Sequence, residues 1–226
     1  MDWTAIALTA RLSGCTALVL LVAGLPLAWW LATTRWRGRL FVEAVVALPL
    51  VLPPTVLGYY VLVALGPHGV LGGWYETLAG SRLPFTFGGL LVASSLYSLP
   101  FAVQPFTAAF RAVDPRLVEA SRSLGASPWH TFRRIVVPLA WPGLLAGMVL
   151  SFAHTLGEFG VVLMVGGNIP GVTRTVSIAI YDQVQGLDYD GAGRTSLFLL
   201  VVSFLVLSLT YALQRNFRLG NPAGRD

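Results

Sequence analysis

Few side chains in this sequence are equipped for catalysis. His68, His130 and His154 fall in three separate regions, and no two of them stand at the spacing of metal ligands. Cys15 is the single cysteine and sits in an apolar run, so no disulfide forms within the chain and packing is its expected role. The sequence contains no lysine. A GxxxxGK[ST] phosphate loop, a Schiff-base amine and a kinase-type phosphate lysine are therefore excluded, and with them ATP hydrolysis by this chain alone. What is left is the chemistry of recognition. It resides in a charged, small-residue stretch from Val113 to Pro138, VDPRLVEASRSLGASPWHTFRRIVVP, and in hydroxyl and amide groups scattered through apolar segments.

Hydropathy sets the elements that must position these groups. Of 226 residues, 55% are hydrophobic and 11% charged, with a mean hydropathy of +0.72. One soluble core would not bury that much apolar surface, and the excess has to face lipid. Five runs approach or exceed the roughly 18 to 20 residues that cross a hydrocarbon core about 30 Å thick. They cover approximately residues 7–32, 42–65, 88–110, 135–156 and 196–213. The first is too long for a signal peptide and lacks a basic N-terminal flank. It ends in Trp29 and Trp30 followed by Arg35, Arg37 and Arg39, an aromatic belt and then a positive anchor. The expected fold class is all-α, a polytopic integral membrane protein of about five transmembrane helices in one domain over residues 1–226.

Orientation follows from the arginines, because short cytoplasmic connections carry the excess positive charge. Arg35, Arg37 and Arg39 follow the first run, Arg116, Arg122, Arg133 and Arg134 lie between the third and fourth, and Arg215, Arg218 and Arg225 end the chain. These regions alternate correctly for five spans with the N-terminus outside and the C-terminus inside. The connections 66–87 and 157–195 are then external, and they carry Glu76, Glu158, Asp182, Asp188 and Asp190 against Arg82, Arg174 and Arg194. The net charge of +5 reflects this asymmetry and calls for no nucleic-acid partner.

The cytoplasmic loop, about 111–134, has its own start and stop signals. Asp114 is placed to cap a helix opening with Pro115, Gly125 stands where about ten residues of helix would end, and Ser127 with Pro128 repeats the start signal. Two short helices joined by a glycine turn are expected beneath the membrane. On the first, Leu117, Ala120, Ser121 and Leu124 share a face while Arg116, Glu119, Arg122 and Ser123 project elsewhere. A small-residue knuckle with charged flanks suits docking into a groove on a partner. Periodicity alone fits an ordinary amphipathic surface helix as well.

The full spacing carries more information. Glu119, Ala120 and Ser121, then Gly125, then Ile135 and Pro138 resemble the EAA loop of ABC importer permeases, written EAA, three residues, G, nine residues, I-x-L-P. Ser121 replaces the second alanine and Val137 the leucine, and both keep a small or apolar side chain. Two further stretches, LPLVLPPTVLGYY from Leu48 to Tyr60 and the segment from Gly157 to Gln185 that begins GEFGVVLMVGGNIPGVTRT, are similar to permeases of molybdate importers. Together the three cover nearly the whole chain.

The resemblance implies a type I ABC importer permease in the cytoplasmic membrane of a prokaryote, translocating molybdate or tungstate. A permease for another oxyanion, such as sulfate or thiosulfate, is the rival reading. In the coupling loop the resemblance implies that Glu119 makes polar contacts with a separate ATPase, that Ala120 and Ser121 allow close approach, and that Gly125 makes the turn. Arg122, Leu124 and Pro128 belong to the same expected surface. This chain is expected to bind no cofactor, with ATP and magnesium held by the ATPase. Its expected partners are a second copy of itself, two cytoplasmic ATPase subunits, an extracytoplasmic oxyanion-binding protein and the lipid bilayer. A membrane-embedded enzyme would need clustered acids, bases or metal ligands in the spans, and a non-ABC channel would leave the loop from Asp114 to Pro138 without a purpose.

A divalent oxyanion does not cross hydrocarbon bare, and it needs a polar lining. No arginine falls clearly inside the second to fifth spans, so the candidates are Thr55, Ser94, Ser95, Ser98, Gln104, Ser151 and Thr155. Their donors pass an anion without trapping it, although such residues more commonly serve helix packing. Asn168 and Glu158 are candidates for a gate. A charge at mid-membrane costs at least about 2.5 kcal/mol, so Glu158 is expected near the outer end of its span. There it would pair with His154, four residues earlier, or with Arg174. A structural ion pair is the favoured reading of Glu158 over a gate or a docking contact.

Overall fold

The structure, a computed structural model, describes residues 1–219, with side chains to Ser208 and that of Thr210. Arg225 and the side chains of Arg215 and Arg218 lie outside the described residues, so the basic tail rests on the sequence. Apolar segments in lipid must satisfy their backbone groups internally, which favours helices. All regular elements among the described residues are helical.

Helix α1 (Trp3–Thr33) starts at Asp2, whose carboxylate accepts the Ala5 N–H at 3.0 Å. Short α2 (Arg39–Ala47) leads through a 3-10 turn at Leu48–Leu50 to α3 (Pro54–Leu65), and α4 (Val70–Ala79) lies in the connection that follows. Helix α5 (Phe87–Arg111) is capped by Thr86 through the Gly89 N–H at 3.2 Å. After α6 (Pro115–Ser123), the short α7 (Pro128–Thr131), a π-helical turn at Phe132–Val136 and α8 (Val137–Leu156) form one continuous rod of 29 residues. The chain closes with α9 (Gly160–Gly166), α10 (Val176–Gln185) and α11 (Tyr189–Leu219). Helices α1, α5, the α7–α8 rod and α11 are each long and apolar enough to cross a membrane.

Two expected elements differ. The run 42–65 is not one helix, because α3 sets off at 111° to the preceding pair α2 and 3-10 turn. Pro53 and Pro54 offer no N–H to a helical ladder and bias the residues before them away from helix, so a proline pair breaks the span rather than kinking it. The segment 157–195, expected as an external connection, contributes to the core. Val161, Val162 and Val165 of α9 are fully buried, the first and last against Val61, Leu65 and Ala93, the second against Leu12, Leu90 and Ile178.

Helix α5 is the centre of the packing. Ala102, Val103 and Phe106 meet Leu20 and Leu31 of α1 and Leu144 of α8. Gly147 lets α8 approach closely, since a Cβ there would lie 2.6 Å from the Phe106 ring. The two ends of the bundle separate as the arginines require. The Arg111 guanidinium donates to the Leu31 carbonyl at 3.2 Å, and Trp29 packs edge-on to both Phe110 and Phe132, which gathers the basic connections at one end. At the other end Val176 N–H donates to Thr9 at 2.8 Å and Trp3 meets Phe198.

Candidate functional site

Local chemistry builds the knuckle at the basic end. The Asp114 carboxylate accepts the Arg116 N–H at 2.9 Å to start α6, and Ser127 accepts the His130 N–H at 3.2 Å to start α7. Between them Gly125 adopts φ +81°, a left-handed conformation costly for residues with a Cβ. The turn is closed by bonds from Gly125 N–H to the Arg122 carbonyl and from Ala126 N–H to the Ser121 carbonyl. Leu117, Glu119, Ala120, Arg122, Leu124 and Pro128 are exposed, Leu124 at 88%. Ser121 is a correction to the expected face. It is buried, with its hydroxyl 2.9 Å from that of Thr131, because Val118 and Ser121 turn toward the membrane domain. The serine that departs from the EAA pattern therefore ties α6 to α7 instead of facing outward.

A second feature lies where two chain breaks meet. The break before α3 and the break between α8 and α9 flank an open cleft of about 480 Å³ lined by Pro54, Thr55, Tyr97, His154, Glu158 and Met164, among others. Gly160 allows the meeting, as a Cβ there would lie 2.8 Å from that of Pro54. Gly58 brings α3 onto α9 in the same way against Met164 and Val161. On the cleft wall the His154 ring stacks on Phe101 at 3.9 Å between centroids and approaches Tyr97 at 4.7 Å. Its Nδ1 is 2.9 Å from the Ser98 hydroxyl, which is itself 2.8 Å from that of Thr155.

A family model described as "Binding-protein-dependent transport system inner membrane component" matches residues 24–219. The chain belongs to this family. Among its relatives is the molybdenum transport system permease protein ModB of Azotobacter vinelandii, 53% identical over 97% of this chain and 96% of the relative. A probable sulfate transport system permease protein, cysT, of Chlorella vulgaris is 35% identical over 92% of this chain and 77% of its own length. The fold matches the crystal structure of a bacterial ABC transporter involved in the import of the acidic polysaccharide alginate, with a TM-score of 0.76 over 94% of this chain and 78% of that one, at 22% identity. The chain is thus an ABC importer permease of the inner membrane, as its coupling loop implied.

Within this permease the candidate path residues do not form one group. Thr55 lines the cleft, with Ser98 and Thr155 just behind His154. Gln104 instead lines a separate cavity of about 320 Å³ toward the basic end, beside the bond at 2.6 Å from Arg111 to Glu43. Ser151 is buried and donates to the Met148 carbonyl in its own helix, while Ser94 and Ser95 hold buried hydroxyls without partners. Asn168 is exposed between Asp182 and Arg174, donating to the first at 2.7 Å and accepting from the second at 2.6 Å. Neither the Arg111–Glu43 tie nor the Phe101 and Tyr97 packing around His154 was legible beforehand, since both join distant segments.

The expected ion pair of Glu158 does not form. Helix α8 ends at Leu156, so the four-residue register from His154 is lost, and Arg174 is engaged by Asp182 and Asn168. Glu158 is 4% exposed, and neither carboxyl oxygen has a hydrogen-bond partner, although Ser94 is close by. Glu158 follows the end of α8 at Leu156 by two residues, at the outer end of that span as expected, but folds back beside α5. Ser94 lies seven residues into α5, about 10 Å from its outer terminus at 1.5 Å per residue. Removing one partner of a buried ion pair typically costs about 3 to 5 kcal/mol. The Glu158→Gln permease is instead expected to unfold at the same temperature as wild type or higher, as thermal unfolding in detergent will report.

Proposed function

We propose that this chain is one half of the translocation domain of a molybdate importer, with tungstate as an equivalent cargo. The observation that carries the reading is the rigid, exposed knuckle from Arg116 to Gly125, held by two capped helices at the basic end of a chain with no nucleotide-binding lysine. A surface built to be docked on, in a protein without its own energy source, calls for a separate ATPase that binds ATP and magnesium. Two copies of the permease enclose the path on a two-fold axis, each knuckle seated in one ATPase subunit, and an extracytoplasmic binding protein delivers the anion. Closure of the ATPases draws the knuckles together and opens the path outward, and inward opening follows hydrolysis.

Identity at 53% over nearly the full length of a molybdenum permease supports molybdate over sulfate, whose permease is more distant at 35%. The test is uptake of labelled molybdate by the reconstituted complex with ATP inside the vesicles. Competition by unlabelled tungstate at equal concentration, and none by sulfate in large excess, is expected. Strong competition by sulfate would transfer the assignment to the rival oxyanion.

A further inference from the structure

We infer that His154 presents its Nε2–H to the cleft as a hydrogen-bond donor for the passing oxyanion, in a tautomer fixed by the Thr155–Ser98 hydroxyl relay. The inference rests on the oxyanion reading given above. Its evidence is the satisfaction of two buried hydroxyls and the imidazole nitrogen they meet. Ser98 and Thr155 are 0% and 2% exposed, and the Thr155 hydroxyl has Ser98 as its side-chain partner. If Nδ1 carried the proton and donated to Ser98, the one bond between the two hydroxyls would use only one of their protons, and the other, on Thr155 or on Ser98, would be left without an acceptor. In the reverse order Thr155 donates to Ser98, Ser98 donates to Nδ1, and each hydroxyl proton is used. The imidazole proton is then on Nε2.

That nitrogen has no protein partner and is not among the enclosed polar atoms, while the ring it belongs to lines the cleft. Stacking on Phe101 and contact with Tyr97 hold the ring plane, so the donor direction is set before any ligand arrives. A tetrahedral oxyanion accepts hydrogen bonds at every oxygen. A neutral donor contributes to such a path without the deep well that a fixed cation would create.

The experiment uses the assembled transporter with its ATPase and binding protein, and compares His154→Phe with His154→Gln. Phenylalanine keeps the stack and removes the donor, and glutamine keeps an N–H donor. Molybdate uptake is expected to fall at least tenfold in H154F while the permease still co-purifies with its ATPase and binding protein and keeps its unfolding temperature. Uptake by H154Q is expected to remain within about threefold. Wild-type uptake by H154F would overturn the inference, and so would equal loss in both variants, since packing would then explain the residue. Nitrogen-15 spectra of histidine-labelled permease, assigned with H154F, are expected to show the Nε2–H form, and an Nδ1–H form would also overturn it. Failure of the wild-type complex to move molybdate overturns the proposed function instead, and the spectra, which need no transport, then decide the tautomer by themselves.

Discussion

Leu124→Asp is expected to cut ATP-driven uptake by at least tenfold while leaving the permease fully folded. Leu124 is 88% exposed at the tip of the knuckle, so a carboxylate there is solvated in the isolated chain. Surface changes of that kind usually alter stability by less than about 0.5 kcal/mol. Docking reverses the situation. Burying a leucine gains about 1.5 to 3 kcal/mol, and the aspartate forfeits that gain and adds a desolvated charge. A loss near 3 kcal/mol corresponds to roughly 100-fold weaker association. Co-purification of the ATPase with wild-type and L124D permease, alongside thermal unfolding of each, reads both arms. An undiminished yield of complex from L124D would show that the ATPase binds elsewhere.

The second large effect is expected at Gly58. A Cβ there would lie 2.8 Å from that of Met164 and 3.2 Å from the Val161 Cα, and a backbone atom cannot swing aside as a side-chain tip can. Gly58→Val adds two further methyl groups at the same contact and must push α3 off α9. Overpacking of this type costs about 1 to 3 kcal/mol. At about 2 to 4 °C per kcal/mol for a chain of this size, the melting temperature should fall by roughly 2 to 12 °C. Because α3 and α9 form two walls of the cleft, uptake should drop as well. Gly14→Val is the control, since a Cβ at Gly14 meets nothing within 4 Å. Equal melting temperatures for G58V and wild type would contradict the close crossing.

What could be read in the sequence was governed by the range of the interactions. The caps of Asp114 and Ser127 and the turn at Gly125 use partners within five residues, so residue type and spacing were enough to place them. The outward face of α6 was legible from its period, but Ser121 was misassigned because its hydroxyl bonds Thr131 on the next helix. The four unbroken spans were plain from hydropathy. Helix α9 was hidden because its seven residues are too few to cross a bilayer, and Gly157 and Glu158 just before it resemble the end of a span. Prolines 49, 53 and 54 announced a distortion without giving its angle. The pairing of His154 with Ser98, 56 residues away, is a property of how α5 and α8 pack, and a single sequence holds no record of it.

The broken second span alters how force can travel through the protein. An unbroken helix is a stiff strut, and a push at one end arrives at the other. No backbone hydrogen bond among the described residues joins the stretch ending at Leu52 to the one beginning at Pro53. Both halves touch α5, but α2 is tied to it through Glu43 and Arg111, whereas α3 is seated chiefly on α9. Work done on the inner half by the arginine-rich side therefore has no continuous helical ladder to travel along, and packing against α5 is a route the two halves share. The span is a pair of levers with a shared pivot, and each arm answers first to its own side of the membrane.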